Sequence, residues 1–381
     1  MDFSWSAQQE EMFDAIEKLA EAELNHDLID RDRESTFNHE GWKKCGQMGI
    51  QGLAVPSEYG GLGVDPITTV GALERFGYGC RDNGLVFSIN AHMWTACAPL
   101  VAFGTEQQKT KYLPGLCNGD LIGGNAMSEP SSGSDAFSMR TTAAKRGDRY
   151  VLNGSKIFVT NGPVADVIVV FANTDRSRGA SGIAAFLVER SFKGLSIAKK
   201  LDKMGLRTSP MAEIFFDDCE VPEENRLGRE GAGAGLFTHS MTWERGCILA
   251  SAVGSMRRLL ERCIRYAKER KQFGQSIGKF QQVSTKIVDM KVRLETARYM
   301  LYHGAYQRSL GRTAVMEAAL AKLHISESWV KSCEDAIQIH GGYGYMTEYE
   351  VERELRDAIG SRLFSGTNEV QRNLIGSLLG L

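Results

Sequence analysis

The chain has 381 residues, of which 43% are hydrophobic and 24% are charged, and its formal net charge is -2. This length and composition are typical of a globular protein built from two or three packed subdomains. Because the charge is balanced, the chain has no general attraction for phosphate backbones or anionic lipid, and neither nucleic acid nor membrane is expected as a partner.

Residues 1–119 are predicted to form a helical domain. Ser6 and Gln9 have the spacing of a capping box, in which each side chain satisfies a backbone N–H at the start of a helix. The apolar residues that follow recur at three- and four-residue steps and therefore share one face. They are Phe13, Ile16, Leu19 and Ala20. The N-terminus lacks the features of a signal peptide, and no stretch approaches the ~18 apolar residues of a membrane span.

Glycines at 60, 61 and 63 interrupt this helical pattern before a further helix predicted from Ile67. A glycine-rich segment sometimes cradles phosphate. This one has no preceding strand and no Lys-Ser/Thr after it, so a plain turn is the favoured interpretation.

Residues 120–230 change to short β-rich runs separated by turn residues. Strands are predicted at 149–152, 156–160, 166–172, 183–188 and 213–216. Turns are predicted at 147–148, 153–154 and 217–218. This spacing is typical of a small barrel or sandwich. No GxGxxG lies between a strand and a helix, which disfavours a Rossmann fold.

Residues 231–381 return to long helical periods, predicted to pack as a bundle of three or four helices. One apolar stripe consists of Phe237, Met241, Ile248, Ala252 and Met256. Another consists of Val283, Ile287, Met290 and Leu294.

Glu244 lies on the first stripe, where helical spacing calls for an apolar side chain. Its neighbours three and four residues away include no cation, and Arg245 points in a different direction on a helix. A buried unpaired carboxylate is costly, or its pKa rises until it holds a proton. From the pattern alone, a functional carboxylate and one paired with an arginine of another helix are equally favoured.

The eight cysteines are scattered, with no CxxC pair. Reduced thiols in a cytoplasmic protein are therefore expected. The seven histidines show no ligand spacing, so no metal site is predicted.

Motifs in the second and third regions resemble those of the acyl-CoA dehydrogenase family. At 127–135 the chain has MSEPSSGSD, which resembles the family's M-T-E-P-x-A-G-S-D, and at 156–162 it has KIFVTNG, similar to K-x-W-I-T-N-G. At 269–274 it has ERKQFG, which matches E-R-x-x-F-G, and at 338–342 QIHGG matches Q-x-x-G-G. At 365–371 it has SGTNEVQ, which resembles E-G-T-x-E-I-Q. Each motif is weak alone, but together they occur in family order over nearly the whole chain.

The resemblance implies an α+β fold with an N-terminal helical domain, a central β domain and a C-terminal helical bundle. It also implies FAD bound between the β domain and the C-terminal helices of a homotetramer. Residues implied to meet the flavin ring are Met127, Ser128, Phe158 and Thr160. Those implied near the pyrophosphate or substrate are Gly133 and Ser134, and those near the adenosine are Thr367 and Glu369. Residues implied to contact the FAD of a neighbouring subunit are Arg270, Phe273, Gln281, Gln338, Gly341 and Gly342.

The chain departs from the family pattern at two positions. The common family base is the Glu that opens E-G-T, and Ser365 occupies that position here. Some branches place the base on the first long C-terminal helix, just before an Arg, which is the position of Glu244. The resemblance therefore favours Glu244 as the base. The second departure is Phe158 in place of Trp, which puts in doubt the docking of an electron-transfer flavoprotein.

The resemblance implies α,β-dehydrogenation of an acyl thioester. Glu244 would take the α proton while the β hydrogen leaves as hydride to flavin N5. The backbone N–H of Ser365 and a ribityl hydroxyl of FAD would stabilise the enolate oxygen. A dry pocket would raise the pKa of the carboxyl toward the working pH.

Four further segments resemble a branch of the family that oxidises groups tethered to carrier proteins, including prolyl-carrier-protein dehydrogenases. They are 83–88, 91–92, 243–245 and 364–367. Carrier-protein thioesters and acyl-CoA are nearly equally favoured as substrates, with the carrier protein slightly ahead. The alternatives from other classes are an oxidase of the same fold that passes electrons to oxygen, and a non-catalytic flavoprotein scaffold, which an intact base disfavours.

Overall fold

The structure, a computed structural model, describes residues 4–381. The N-terminal residues 1–3, on which part of the signal-peptide prediction depends, lie outside the described residues. The predicted α+β architecture is confirmed, with helices at both ends of the chain and a β-sheet between them. The predicted boundaries at 119/120 and 230/231 fall in the connections between the last N-terminal helix and the first strand, and between the last strand of the large sheet and the next helix.

The N-terminal helices are α1 Ala7–Glu23, α2 Leu28–Glu34, α3 His39–Gln47, α4 Pro66–Gly79, α5 Asn83–His92, α6 Ala98–Phe103 and α7 Glu106–Cys117. The predicted capping box is confirmed, since Ser6 and Gln9 each bond to the other's backbone at the start of α1. The glycine-rich segment is a turn, in which Gly60 and Gly63 have left-handed φ angles of 86° and 61°.

Helices α5 and α6 are joined by a π-helical turn, Met93–Cys97, into one apolar segment. The prediction that no stretch reaches the length of a membrane span was wrong, because Asn83–Phe103 does so by length and composition. However, 83% of its apolar window is buried inside the protein, as in a core helix.

His92 connects this segment to two other elements. Its Nδ1 accepts a hydrogen bond from Gly123 N at 2.8 Å, so its Nε2 carries the proton and donates to Leu116 O at 3.0 Å. Burial lowers the pKa of His92 to about 4, which keeps the ring neutral. His92 is therefore a core histidine that ties α5 to α7 and the sheet.

The strands of the large sheet are β1 Gly123–Ala126, β2 Thr142–Arg146, β3 Arg149–Thr160, β4 Val167–Asn173, β5 Ile183–Glu189, β6 Leu195–Ile197, β7 Met211–Pro222 and β8 Arg226–Leu227. Their order is β6-β7-β3-β2-β4-β5-β8, and β1 pairs in parallel with β4. The predicted strands coincide with parts of β3, β4, β5 and β7, with Asp166 one residue before β4, whereas β1, β2, β6 and β8 were missed.

The predicted turns at 153–154 and 217–218 were wrong, because β3 and β7 run through them. The two sites face each other as a bulge: Asn153 Nδ2 donates to Asp218 Oδ1 at 3.0 Å, and Asp218 N donates to Asn153 Oδ1 at 2.9 Å. Asp218 and Gly154 have positive φ angles of 46° and 144°. Turn-forming residues therefore bend a continuous ladder here instead of ending it.

The C-terminal elements are α8 Gly233–Cys247, α9 Ala250–Glu269, β9 Lys271–Gln272, β10 Gln275–Ser276, α10 Gln281–Ser309, α11 Val315–His340, α12 Val351–Gly360 and α13 Asn368–Leu378. The predicted stripe from Phe237 to Met256 does not lie on one helix, because the chain turns at Ile248 and Leu249. These helices do not form a separate bundle core. They share one hydrophobic core with α1, α4 and α5.

The contact between α4 and α9 depends on glycine. A Cβ added at Gly77 would overlap Ser251 O, and one added at Gly254 would overlap Glu74 O. The two backbones therefore approach too closely for any side chain, which locks the N-terminal helices to the C-terminal ones.

We expect Gly254→Ala to lower the free energy of unfolding by about 1–3 kcal/mol, the usual cost of overpacking. Thermal and denaturant unfolding would measure it. Gly235→Ala is the matched control, since Gly235 is an exposed helical glycine with no heavy atom within 4 Å of an added Cβ. Alanine is the better helix former there, so the control should be at least as stable as the native chain. Equal unfolding of both variants would contradict the close packing of α4 on α9.

Candidate active site

A cleft of about 660 Å³ opens where the sheet, α5, α8 and the segment before α13 meet. The predicted residues that line it are Met127, Ser128, Gly133, Ser134, Phe158, Thr160, Glu244, Ser365 and Thr367. All three predicted regions of the chain contribute to its walls, since Phe87 and Ala91 of α5 also line it. The cleft therefore exists only when the regions are packed together.

Glu244 lies on α8 with only 6% of its surface exposed. Its Oε1 accepts a hydrogen bond from Ser365 Oγ at 2.8 Å. Its Oε2 is buried and has no hydrogen-bond partner among residues 4–381. Glu244 forms no ion pair within the same residues. The alternative of an ion pair with an arginine of another helix was therefore wrong.

Burial raises the pKa of Glu244 to about 7. The Ser365 hydrogen bond and the charges of Arg245 and Lys322 oppose that rise without cancelling it. A carboxyl with this pKa exchanges a proton near neutral pH, which is the property a general base needs.

Asp357 shows that a raised pKa alone does not identify the base. Burial raises its pKa to about 7 as well. Both of its oxygens are engaged, Oδ1 by Leu206 N at 2.6 Å and Oδ2 by Asn83 Nδ2 at 3.1 Å, and it does not line the cleft. Glu244 differs in having one oxygen left for a reacting group, in the cleft itself.

Ser365 is held in a left-handed backbone conformation with φ 58°. Its carbonyl oxygen accepts from Arg245 Nε at 3.0 Å and from Gln371 Nε2 at 3.2 Å. No residue within 4–381 accepts a hydrogen bond from its backbone N–H. Thr367, two residues on, caps α13 by accepting from Val370 N at 3.3 Å.

The segment carrying Met127 and Ser128 is held by a buried ion pair that sequence reasoning missed. Lys156 is fully buried, and its Nζ donates to Glu129 Oε1 at 2.9 Å and to Met127 O at 3.0 Å. Glu129 also accepts from Arg140 N at 2.6 Å and Thr141 N at 2.8 Å. Both charged residues lie inside motifs quoted in the sequence analysis, so their presence there could have indicated a buried ion pair.

Charge and hydrogen bonding make this pair structural. Burial acts to raise the pKa of Glu129, but the Thr141 hydrogen bond and the Lys156 charge hold it below its usual value. Burial lowers the pKa of Lys156 to about 8. Every oxygen and the ammonium group have partners, so neither is available for chemistry.

Sequence reasoning also missed several side chains of the cleft. The rings of Phe87 and Phe364 pack with centroids 4.6 Å apart. Both lie in segments that carried the carrier-protein resemblance. The wall at 203–206 is held by Asp357 through Leu206 N and by Lys203 Nζ, which donates to Leu206 O at 2.7 Å. Since 203–206 is a loop without periodicity or motif, no sequence signal marked it.

The remaining predicted cofactor residues do not line this cleft. They are Arg270, Phe273, Gln281, Gln338, Gly341, Gly342 and Glu369. All are exposed, and Phe273 is 93% exposed. Arg270 lies over the Tyr343 ring at 5.7 Å, and Tyr266 stacks on His340 at 4.3 Å, which brings the end of α9 to the end of α11. The implied contact of Glu369 with the adenosine, and that of the other six residues with the FAD of a neighbouring subunit, stay predictions.

All eight cysteines are buried and none forms a disulfide. Over the described range 4–381, no group of three or more His, Cys, Asp or Glu side chains is arranged to hold a metal ion.

The three domains of acyl-CoA dehydrogenase match almost the whole chain. The N-terminal domain matches residues 6–120, the middle domain 124–219 and the C-terminal domain 231–379. The chain belongs to the acyl-CoA dehydrogenase family. The sequence prediction of family and fold is therefore confirmed.

Several relatives resemble the chain over its full length. An L-prolyl-(peptidyl-carrier protein) dehydrogenase of Pseudomonas fluorescens is 41% identical over 382 residues, covering 100% of each chain. The crystal structure of the prolyl acyl carrier protein oxidase AnaB has 51% identity and a TM-score of 0.98, covering 99% of this chain and 100% of that one. The structure of PigA with FAD and proline has 41% identity and a TM-score of 0.97, covering 100% of each.

We expect Lys156→Met to destabilise the protein by about 3–5 kcal/mol, because it leaves the Glu129 carboxylate buried without its cation. Unfolding by denaturant would measure the loss. Lys145→Met is the matched control: Lys145 pairs with Glu223 at 2.7 Å on the exposed face of the same sheet, where ion pairs contribute little. A Lys156→Met protein as stable as the control would contradict a structural role for the buried pair.

Proposed function

We propose that this chain catalyses the α,β-dehydrogenation of an acyl thioester, with Glu244 as the base. The observation that carries the proposal is a buried carboxylate whose Oε2 has no hydrogen-bond partner within residues 4–381, in the cleft of a chain that belongs to the acyl-CoA dehydrogenase family. The proton of the α carbon passes to Glu244, and the electrons of that C–H bond form the double bond as the β hydrogen leaves with its electron pair. Bound FAD would supply the acceptor for that hydride.

The residues of the cleft fit FAD, the cofactor predicted from the sequence. Met127, Ser128, Phe158 and Thr160 line it together, and Phe158 exposes 62% of its surface there as an aromatic wall. Gly133 has no heavy atom within 4 Å of an added Cβ, which leaves room for a close ligand. The cofactor of this family member is FAD, in agreement with the FAD bound in PigA.

Removal of the α proton places negative charge on the thioester oxygen. A donor positioned for that oxygen lowers the barrier, because it need not reorient during the reaction. We assign this role to the backbone N–H of Ser365, which has no other acceptor within the described residues. The raised pKa of Glu244, about 7, matches the base to neutral pH.

We propose an aminoacyl group on a carrier protein, prolyl in the first instance, as the substrate. Of three full-length relatives at 41% to 51% identity, one is an L-prolyl-(peptidyl-carrier protein) dehydrogenase, one is the prolyl acyl carrier protein oxidase AnaB, and the third is PigA, whose structure holds FAD and proline. The aromatic pair Phe87 and Phe364 lies in the cleft and in the segments that resemble that branch. Acyl-CoA, which names the family, is the alternative substrate.

The electron acceptor has two candidates. We propose an electron-transfer flavoprotein as the first candidate, which would dock with Phe158 in place of the Trp of the family motif. Oxygen is the second, because AnaB is described as an oxidase and is 51% identical to this chain. A non-catalytic scaffold is disfavoured by the intact carboxylate of Glu244.

We propose that the protein is a homotetramer. Helix α10 exposes the apolar residues Val288, Val292 and Tyr299, and Phe273 nearby in sequence is exposed too. Exposed apolar surface of this kind is typical of protein interfaces. In such an assembly, Arg270 would lie where it can contact the FAD of a neighbouring subunit, as the family resemblance implies. Location in the cytoplasm is a further proposal, supported by eight cysteines without disulfides.

We expect Glu244→Gln to keep the fold and FAD but to reduce the rate of flavin reduction by about 10²–10⁴-fold, since an amide does not accept the α proton. Single-turnover absorbance of the flavin would measure it. Glu334→Gln is the control, because Glu334 pairs with Lys331 at 3.2 Å on the surface. Native-like flavin reduction by Glu244→Gln would rule out Glu244 as the base.

We expect prolyl groups on a carrier protein to bleach the flavin faster than the same groups on CoA. The measurement is anaerobic flavin reduction with the acyl group held constant and the carrier changed. Faster reduction by prolyl-CoA would overturn the carrier-protein assignment. Repeating the turnover in air with a peroxide assay separates the acceptors, because an oxidase releases one peroxide for each product.

A further inference from the structure

Ser365 contacts the base through its side chain as well as offering a backbone donor. Its Oγ donates to Glu244 Oε1 at 2.8 Å, across 121 positions of sequence. The family motif places the base itself at this position, so a hydroxyl here has no counterpart in the motif. The role of the hydrogen bond from Ser365 Oγ to Glu244 therefore does not follow from the family motif.

The backbone of Ser365 is fixed from two sides. A φ of 58° is uncommon for a residue with a side chain. The conformation is held because Arg245 Nε and Gln371 Nε2 both donate to the Ser365 carbonyl, at 3.0 and 3.2 Å. At Gly366, where φ is 82°, an added Cβ would lie 2.9 Å from Gln371 Nε2, so the adjoining residue must stay small. These backbone contacts therefore fix the direction in which the Ser365 hydroxyl points.

The charged neighbours of Glu244 do not orient it. Arg245 on α8 and Lys322 on α11 act on its charge, but neither lies within ion-pair distance, and Lys322 Nζ donates to Asn368 Oδ1 at 2.8 Å. Arg308 on α10 donates to Thr242 O and lies over the Trp243 ring. Within residues 4–381 the Ser365 hydroxyl is the one group that hydrogen-bonds the carboxylate.

We propose that Ser365 is a positioning residue for the base: its hydroxyl anchors Oε1 of Glu244 and thereby presents Oε2 to the α carbon of the substrate. This inference rests on the proposed function and adds to it a division of roles between the two oxygens. One oxygen is fixed by the protein, and the other receives the proton. A hydrogen bond donated to a carboxylate also favours its charged form, which is the form that acts as a base.

The test uses the FAD-loaded Ser365→Ala and Ser365→Gly enzymes. Both remove the hydroxyl, and glycine also tolerates the positive φ, so a change common to both reports the hydroxyl and not backbone strain. Two quantities are followed against pH: the rate of flavin reduction, and the infrared C=O band of the protonated Glu244 carboxyl, assigned by its absence in Glu244→Gln. The infrared band gives a readout without turnover.

We expect the acid limb of the rate profile and the infrared midpoint to move up by about one pH unit in both variants, since a hydrogen bond to a charged group is lost. The limiting rate should fall by about ten- to a hundredfold, because the carboxylate is no longer held in place. Ser361→Ala is the control: it loses a hydroxyl hydrogen bond to Ala358 O at 2.6 Å in the same segment, outside the cleft. It should titrate as the native enzyme does.

An infrared midpoint and acid limb unchanged in both Ser365 variants would overturn this inference. If Glu244→Gln were nevertheless inactive, the proposed function would stand and only the role of Ser365 would fall. If Glu244→Gln kept native turnover, the proposed function itself would fail first.

Discussion

The active site depends on a carboxylate that is buried in the protein without a countercharge. Removing a charged group from water costs free energy, and in proteins an ion pair or several hydrogen bonds normally offset that cost. Glu244 receives one hydrogen bond, from Ser365, and its second oxygen receives none from residues 4–381. Because this desolvation is not fully offset, the pKa of Glu244 is raised to about 7. A carboxyl with that pKa can accept a proton near neutral pH.

A second buried carboxylate, in the segment that carries Met127 and Ser128 to the cleft, shows the opposite solution. Glu129 is buried to a similar extent but accepts from Lys156 and from the backbone N–H groups of Arg140 and Thr141, so it stays charged. It stabilises the segment that carries Met127 and Ser128 and does no chemistry. With a similar exposed fraction, one carboxylate is structural and the other is a candidate proton acceptor, because Glu129 has the Lys156 cation and several hydrogen-bond donors whereas Glu244 has one donor and no ion pair.

The remaining structure serves to keep this environment closed and in register. Helices of the N-terminal and C-terminal regions share one core, and the glycine contact between α4 and α9 brings their backbones together. His92 and Asp357 connect helices to the β1 strand and to the 203–206 loop through buried hydrogen bonds. Each of these contacts joins two regions of the chain, and together they fix the relative positions of the three regions that line the cleft.

The amino-acid sequence alone determined the features that depend on neighbouring residues. The capping box of α1, most of β3, β4 and β5, and a short central part of β7 follow from local spacing, and the family was found from the resemblance of its motifs. Glu244 stood out for the same reason, since helical periodicity called for an apolar residue there. Local turn residues misled at 153–154 and 217–218, because two facing strands can absorb them as a bulge.

Only the tertiary structure decided which groups meet. The Ser365 hydroxyl and Glu244 are 121 positions apart, and Lys156 and Glu129 are 27 apart, so neither contact follows from periodicity. The sequence also contained no signal for the loop at 203–206 that lines the cleft, or for the core that the N-terminal and C-terminal helices share. The physical reason is that side-chain contacts of this kind are set by how whole elements pack, and packing depends on the combined shape of many distant residues.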